Sequence, residues 1–176
     1  VWDQADLDEM LNKEAAQAFR DQALNPNHPV LRGTAQNPDI FFQAREACNK
    51  YYDALPAIVE DYMHQVNAKI GTSYELFNYY GAPDADKVII AMGSICDVAE
   101  EVIDYMNANG EKVGLVKVRL YRPFSAEKLV EAIPATAKKI AVLDRTKEPG
   151  ALGEPLFLDV VAALAKTGKQ ATVCGG

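Results

Sequence analysis

The chain has 176 residues, of which 49% are hydrophobic and 24% are charged, a composition typical of a folded globular protein. Its formal net charge of −7 argues against a surface that binds nucleic acid or anionic membranes, because such surfaces need clustered Lys and Arg. The sequence contains neither an apolar run of about 18 residues nor a signal-peptide pattern. The length predicts one full domain with an appendage.

Over residues 5–24, apolar side chains recur at three- and four-residue spacings, which predicts one amphipathic helix. A loop rich in Pro and Gly follows, and Asn37 is positioned to cap the next helix with Pro38 in its first turn. Pro56 falls inside the apolar pattern of that helix, so we expect a kink or a new helix there. The helical pattern continues up to Gly71, which ends it.

Beyond residue 86, short apolar runs alternate with amphipathic stretches. The predicted strands are "KVIIAM", "KVGLVKV", "KIAVLD" and "QATVC", with three helices between them. Ser94 is the expected N-cap of the first of these helices, with Asp97 as its capping-box partner. The buried stripe of that helix is expected to contain Ile95, Val98, Ala99, Val102, Ile103 and Met106. This alternation predicts a parallel α/β sheet with right-handed crossovers.

Ligands of open parallel sheets bind beyond the carboxyl ends of the strands, which puts Ser94, Arg122, Arg145 and Lys147 on one rim. The turn before Ser94 leads into a helix whose free N–H groups suit an anion. However, "AMGSICD" is neither the GxGxxG nor the Walker pattern, which favours an ordinary capped helix. Asp144 is compatible with acid–base chemistry, but we favour ion pairs that order its loop.

The remaining reactive residue types show no site pattern. His28 and His64 lack the spacing of a metal site or a nucleophile relay and are interpreted as structural or solvated. We interpret three aromatic clusters as core or interface rather than as nucleic-acid stacking platforms, namely Phe41-Phe42, Tyr51-Tyr52 and Phe77-Tyr79-Tyr80 in "FNYY" at 77–80. The residues alone therefore predict an α/β domain without a self-contained active site.

Three cysteines, Cys48, Cys96 and Cys174, lie far apart in the sequence. They form neither a CxxC metal pair nor a balanced disulfide framework, and a reducing cytoplasm is the simplest setting for them. The chain begins without Met, and a predicted strand at its end runs into two glycines. We therefore expect a fragment of a longer protein.

The sequence resembles the middle of a pyruvate:ferredoxin (flavodoxin) oxidoreductase in four blocks that occur in the family's order. The blocks are "RGTAQNPDIFFQAREACNKYYDALPAIVEDYM" (32–63), "LFNYYGAPDADKVIIAMGSICD" (76–97), "LYRPFSAEKL" (120–129) and "LDRTKEPGALGEPLFLDV" (143–160). The resemblance implies a three-layer, parallel-sheet α/β domain like the transketolase carboxyl-terminal domain at 73–176. An α-helical segment at 1–72 would precede it and end the first thiamine-diphosphate domain.

The "LYRPF" block resembles the strand-to-helix corner of transketolase-type domains. Pro123 biases the residue before it away from helical geometry and ends the strand. Phe124 is then expected to enter the core, and Ser125 to cap the next helix. Arg122 is expected to stay free on the rim and to reach a neighbouring domain.

For the complete enzyme, the resemblance implies oxidative decarboxylation of pyruvate with coenzyme A and electron transport to ferredoxin or flavodoxin. It implies thiamine diphosphate, Mg²⁺ and [4Fe-4S] clusters as cofactors, and the enzyme's other domains and its homodimer mate as partners. This sequence lacks the GDG…N thiamine-diphosphate motif and a CxxCxxC run, so we assign no catalytic or metal residue and expect no cofactor in this segment.

Three interpretations stay open. The first is a non-catalytic architectural segment that forms inter-domain or dimer contacts and is inactive when isolated. The second is a ligand-binding module in which Ser94, Arg122, Arg145 and Lys147 form an anion pocket that touches coenzyme A. The third is an autonomous enzyme.

Overall fold

The structure is a computed structural model that describes residues 2–30, 33 and 35–176. The chain divides into two compact units, Val1–Glu46 and Ala47–Gly176. The helices are α1 (Gln4–Met10), α2 (Lys13–Asp21), α3 (Pro38–Ala47), α4 (Asn49–Ile70), α5 (Ile95–Ala108), α6 (Ala126–Ala132) and α7 (Pro155–Thr167). The strands are β1 (Phe77–Gly81), β2 (Lys87–Ala91), β3 (Val113–Val118), β4 (Lys139–Val142) and β5 (Thr172–Gly175).

Two helices replace the single helix predicted over residues 5–24. The first ends at Met10 and the second begins at Lys13. The side chain of Asn12 accepts a hydrogen bond from the Ala15 N–H at 2.9 Å and so caps the second helix. Asn competes well for backbone donors at such a position, and this local cap interrupts a helix whose apolar pattern continues across the break.

Helix α4 is one continuous helix through Pro56, so the prediction of a new helix there is wrong. The break lies at Cys48 instead. Val59 and Met63 pack against the core, and this packing outweighs the hydrogen bond that the proline cannot make. Three residues of the predicted loop before α3 lie outside the described part of the chain, namely Leu31, Arg32 and Thr34.

The end of α4 is fastened to the segment that enters β1. Gly71 ends the helix with φ of 70° and donates its N–H to the Asn67 carbonyl at 2.9 Å, as its predicted role requires. The Asn67 side chain accepts a hydrogen bond from the Tyr74 N–H at 2.7 Å and donates one to the Tyr74 carbonyl at 2.9 Å. It also accepts one from the Thr72 hydroxyl at 2.8 Å.

The five strands form one sheet in the order β1-β3-β2-β4-β5. The four predicted strands pair in parallel, which confirms the α/β fold class. The sheet is nevertheless mixed, because β1 pairs antiparallel with β3 in the register Phe77↔Val118. The "FNYY" cluster thus forms an edge strand that the sequence pattern did not predict.

Helices cover both faces of the sheet. On one face, the core combines strand residues with α6 and α7, including Val88, Ile90, Val116, Ile140, Val142, Leu129, Leu156 and Val160. On the other face, a smaller core forms against α5 and contains Ala91, Cys96, Ala99, Ile103, Val113 and Leu115. Alternate residues of each strand point to opposite faces, so the continuous apolar runs fill both cores.

The predicted buried stripe of α5 is partly wrong. Val98 and Val102 are 60% and 47% exposed, whereas Cys96 is buried beside Ala99 and Ile103. The apolar pattern of α5 is wider than the face that packs on the sheet. Periodicity cannot distinguish a side chain that faces the core from one on an exposed apolar stripe.

The "LYRPF" corner packs as the sequence predicts. The ring of Phe124 lies edge-on to Phe77 with 5.4 Å between centroids. The Ser125 hydroxyl accepts a hydrogen bond from the Lys128 N–H at 3.3 Å and caps α6. The Arg122–Pro123 peptide bond is cis. Across the described residues, none of the helices combines the length and apolarity needed to cross a bilayer.

The core makes a direct prediction about stability. Leu129 is fully buried, so Leu129→Ala should lower the free energy of unfolding by about 3 kcal/mol through lost burial and a residual cavity. Leu152 is 98% exposed, so the same truncation there should cost less than about 0.5 kcal/mol. Urea unfolding followed by circular dichroism measures both values, and equal losses would contradict this assignment of the core.

Candidate functional site at the strand ends

Neighbouring strands β2 and β4 send the chain to opposite faces of the sheet, β2 into α5 and β4 into α7. The crevice between such strand ends is the usual ligand position in an open α/β sheet. A cavity of about 440 Å³ lies there, lined by Ser94, Ile95, Val98, Leu143, Asp144, Arg145 and Gly176. Two of the four predicted rim residues, Ser94 and Arg145, therefore lie together at this cavity.

Ser94 and Arg145 are in contact. The Arg145 guanidinium donates a hydrogen bond to the Ser94 hydroxyl at 3.4 Å. The Ser94 side chain makes no cap hydrogen bond, and its φ of −64° and ψ of −20° are helical rather than extended. The predicted capping box with Asp97 is therefore wrong, because extended geometry is what lets an N-cap side chain reach the helix N–H groups.

Asp144 caps a helix that is distant in sequence. Its two carboxylate oxygens accept hydrogen bonds from the N–H groups of Leu156 and Phe157, each at 3.1 Å. Both donors belong to the first turn of α7, where N–H groups lack helical partners and where negative charge is favoured. These contacts support the interpretation that Asp144 orders the loop between β4 and α7.

Lys147 belongs to the same loop and does not line the cavity. Its ammonium donates a hydrogen bond to one carboxylate oxygen of Glu154 at 2.8 Å. The other oxygen accepts the Glu148 N–H at 2.6 Å. The lysine first, and then this N–H, hold the pKa of Glu154 below its ordinary value. Lys147 is thus engaged in ordering its own loop.

Arg122 is not free, contrary to the prediction. A guanidinium nitrogen lies 2.7 Å from Asp159 Oδ2, and the guanidinium stacks 3.9 Å from the centroid of the Tyr121 ring. Asp159 Oδ2 is buried, and the neighbouring guanidinium offsets the cost of burying its charge. A carboxylate on α7 therefore holds Arg122 within the domain, although half of its side chain stays exposed.

The described residues do not fit the metal cofactors that the resemblance implies. Within residues 2–30, 33 and 35–176, no group of three His, Cys, Asp or Glu side chains is placed to hold a metal ion. Cys96 is buried and Cys174 is exposed, whereas Cys48 is intermediate. His64 pairs with the Glu75 carboxylate at 3.4 Å.

The largest feature that the site prediction missed is apolar. None of the described residues of α1–α4 is buried, and these helices expose Leu7, Phe19, Ile40, Phe41, Phe42, Tyr51, Tyr52, Ile58, Tyr62 and Ile70. A groove of about 520 Å³ runs along α4, lined by Ile58, Val59, Tyr62, Met63, Val66, Tyr74 and Arg119. Exposed apolar surface on this scale marks a contact with another protein surface.

Comparison with known proteins assigns the two parts of the chain to related families. Residues 85–175 match the family described as pyruvate:ferredoxin oxidoreductase core domain II. Residues 1–64 match the family described as pyruvate flavodoxin/ferredoxin oxidoreductase, thiamine diP-bdg.

Individual relatives are much longer than this chain. A pyruvate-flavodoxin oxidoreductase of Enterobacter agglomerans is 56% identical over 176 residues, which are 100% of this chain and 15% of that protein. A pyruvate:ferredoxin oxidoreductase of Moorella thermoacetica is 58% identical over 171 residues, which are 97% of this chain and 15% of that protein. A solved 2-oxoglutarate:ferredoxin oxidoreductase of Magnetococcus marinus covers 62% of this chain and 18% of its own, with 23% identity and a TM-score of 0.43, too low to define the fold.

The contacts of Asp144 predict a structural effect. Asp144→Ala should lower the free energy of unfolding by about 1–2 kcal/mol, because two α7 N–H groups lose their acceptor and the helix loses its favourable charge. Glu148→Ala, which removes an exposed carboxylate of the same loop, should stay within about 0.5 kcal/mol. Urea unfolding measures both. An unchanged stability for Asp144→Ala, together with lost activity of the full-length protein, would instead support the acid–base interpretation.

Proposed function

The chain belongs to the pyruvate:ferredoxin oxidoreductase family, as its match to core domain II shows, and we propose that it is a non-catalytic structural segment of such an enzyme. The whole enzyme would oxidatively decarboxylate pyruvate to acetyl-CoA and CO₂ and reduce ferredoxin or flavodoxin. Thiamine diphosphate, Mg²⁺ and [4Fe-4S] clusters would be bound by its other domains. The segment alone would be inactive.

We assign the two parts of the chain to different domains of the enzyme. Residues 1–72 would end the first thiamine-diphosphate domain and link it to the transketolase carboxyl-terminal-like domain at 73–176. The match of residues 1–64 to a thiamine-diphosphate-binding family supports this division. The partners would be the other domains of the same polypeptide and its homodimer mate, in the cytoplasm.

The exposed apolar side of α4 is the observation that carries this proposal. One side of the helix places Val59 and Met63 on the core of the second unit. Another side exposes Ile58 and Tyr62 by 50% and 43%. Burying such side chains against a second surface stabilises a contact by about 25 cal/mol for each Å² of apolar area. A helix with one packed and one open apolar side is built to join two domains.

Mutation of the open side tests the structural role in the full-length enzyme. Tyr62→Asp should lower the free energy of unfolding by about 2 kcal/mol and reduce the yield of assembled enzyme, because it places a charge in an apolar contact. The KM values for pyruvate and coenzyme A of the enzyme that does assemble should not change.

Tyr105→Asp is the matched control, because Tyr105 is 72% exposed on α5 and lies outside the proposed contact. Thermal unfolding and steady-state kinetics give the two readouts. Wild-type stability for Tyr62→Asp would refute the contact, and a changed KM at full stability would indicate a role in substrate binding.

The contact between Ser94 and Arg145 favours a second candidate function, an anion or coenzyme A contact at the rim. Both residues line the cavity at the strand ends, and the N-terminus of α5 opens into it without a side-chain cap. Guanidinium groups and helix N–H groups bind phosphate well, and coenzyme A carries phosphate groups. Arg122 and Lys147 would not take part, because each is paired elsewhere.

Kinetics of the full-length enzyme test this second candidate. Arg145→Ala should raise the KM for coenzyme A about tenfold, the loss expected for one charge-assisted hydrogen bond of about 1.5 kcal/mol. The KM for pyruvate should not change, and Arg145→Lys should restore part of the loss. Lys147→Ala removes a cation from the same loop and should have no effect. An unchanged KM for coenzyme A in Arg145→Ala would leave the rim with a purely structural role.

A further inference from the structure

The face of the sheet that packs on α5 is covered unevenly. Helix α5 packs on β1 and β3, whereas α6 and α7 belong to the core of the opposite face. Over β4 and β5, the α5 side of the sheet is open. There Thr172 and Cys174 are exposed, and Ala141 is half-buried. The neighbouring residues of β4 that point to the opposite face, Ile140 and Val142, are 1% and 0% exposed.

A cavity of about 340 Å³ follows this open strip, and we call it the β4–β5 trough. It is lined by Lys87, Val88, Ile89, Ile103, Met106, Val113, Lys139, Ile140, Ala141, Thr172 and Cys174. Its floor and the wall formed by α5 are almost entirely apolar. Lys87 and Lys139 mark the end at which β2 and β4 begin, and the lining contains neither Asp nor Glu.

An open apolar trough on parallel strands is unusual. Parallel strands rarely expose a solvated face, because helices usually cover both sides of the sheet. The small side chains of Ala141 and Cys174 leave room for a neighbour to approach the sheet closely. The side chains of the trough therefore resemble those of a buried protein interior, but no helix of the described residues covers them.

We propose that the β4–β5 trough seats an amphipathic helix from another part of the same polypeptide. The four residues of β4 extend for about 13 Å, the length of a helix of about nine residues. A helix antiparallel to the strands would bring its carboxyl end to Lys139, whose ammonium would stabilise the helix dipole, whereas Lys87 is already paired with Glu111 at 2.5 Å. Both length and charge thus favour a helix in this orientation.

The same polypeptide is a better source of this helix than a separate molecule. This chain spans about 15% of the length of its relatives, so most of the polypeptide lies outside it. A tethered helix binds at high effective concentration and avoids most of the entropy cost of association. A second copy of this chain would present another concave surface with the same Lys139 cation, which complements neither the shape nor the charge of the trough.

This inference is independent of the proposed contact of α4, because α4 packs on the core of the opposite face of the sheet. Its test uses Cys174 as a reporter in the full-length polypeptide, with iodoacetamide as the probe and mass spectrometry of the Cys174 peptide as the readout. We expect Cys174 to react about 100-fold more slowly in the native than in the denatured polypeptide, because a seated helix must open first.

Ala141→Glu places a charge on the floor of the trough and should raise the native reaction rate about tenfold, since each 1.4 kcal/mol of lost helix binding gives that factor. Ala135→Glu makes the same change at an exposed turn beside β4 and should leave the rate unchanged. If Ala141→Glu does not fold, Thr172→Arg at the exposed edge of the trough replaces it.

Three results would overturn the proposal. Reaction of native Cys174 at nearly the denatured rate, without an effect of Ala141→Glu, would show an open trough. Protection that disappears on dilution together with dissociation of the assembly would assign the trough to a second copy. Protection in cell extract that is absent from the purified polypeptide would assign it to a separate protein.

Discussion

The structure depends on the burial of its central strand, β2. This strand is paired on both edges, with Val88 and Ile90 in the larger core and Ala91 in the smaller one. Because these cores exclude water, unpaired polar residues are disfavoured within the sheet and gather where the strands end. The polar rim around Ser94 and Arg145 follows from this constraint. The proposed contacts with other protein surfaces therefore lie on the exposed apolar helices and on the open strip over β4 and β5.

Much of the fold could be predicted because its strands are continuous apolar runs with clear boundaries. Strands β2 to β5 and helices α5 to α7 follow directly from these runs. Strand β1 escaped prediction because "FNYYG" mixes polar and aromatic residues and owes its strand form to β3, some 40 residues later. The breaks at Asn12 and Cys48 and the intact helix at Pro56 each reflect a balance between local capping and packing that periodicity does not contain.

The sequence predicts where the candidate site lies, but it does not predict which side chains contact each other there. The rim residues follow from where parallel strands end, yet the residues that they contact lie far away in sequence. Arg145 reaches Ser94 over 51 positions, and Arg122 is held by Asp159 on a later helix. Such contacts depend on the conformations of the loops, which the spacing of residues in the sequence does not determine. Similarly, the apolar stripes of α1–α4 have the same pattern whether they face a core or a partner, so the sequence left both possibilities open.

Helix α4 carries the chain past the end of the first family match without a break. The first match ends at residue 64, inside a helix of 22 residues that is about 33 Å long. Its far end is locked by Asn67 to the segment that enters β1. The first family match therefore ends within a helix and not in a loop. A change in the tilt of α4 would act directly on the edge strand β1, because the hydrogen bonds of Asn67 fasten the end of the helix to the segment that enters this strand.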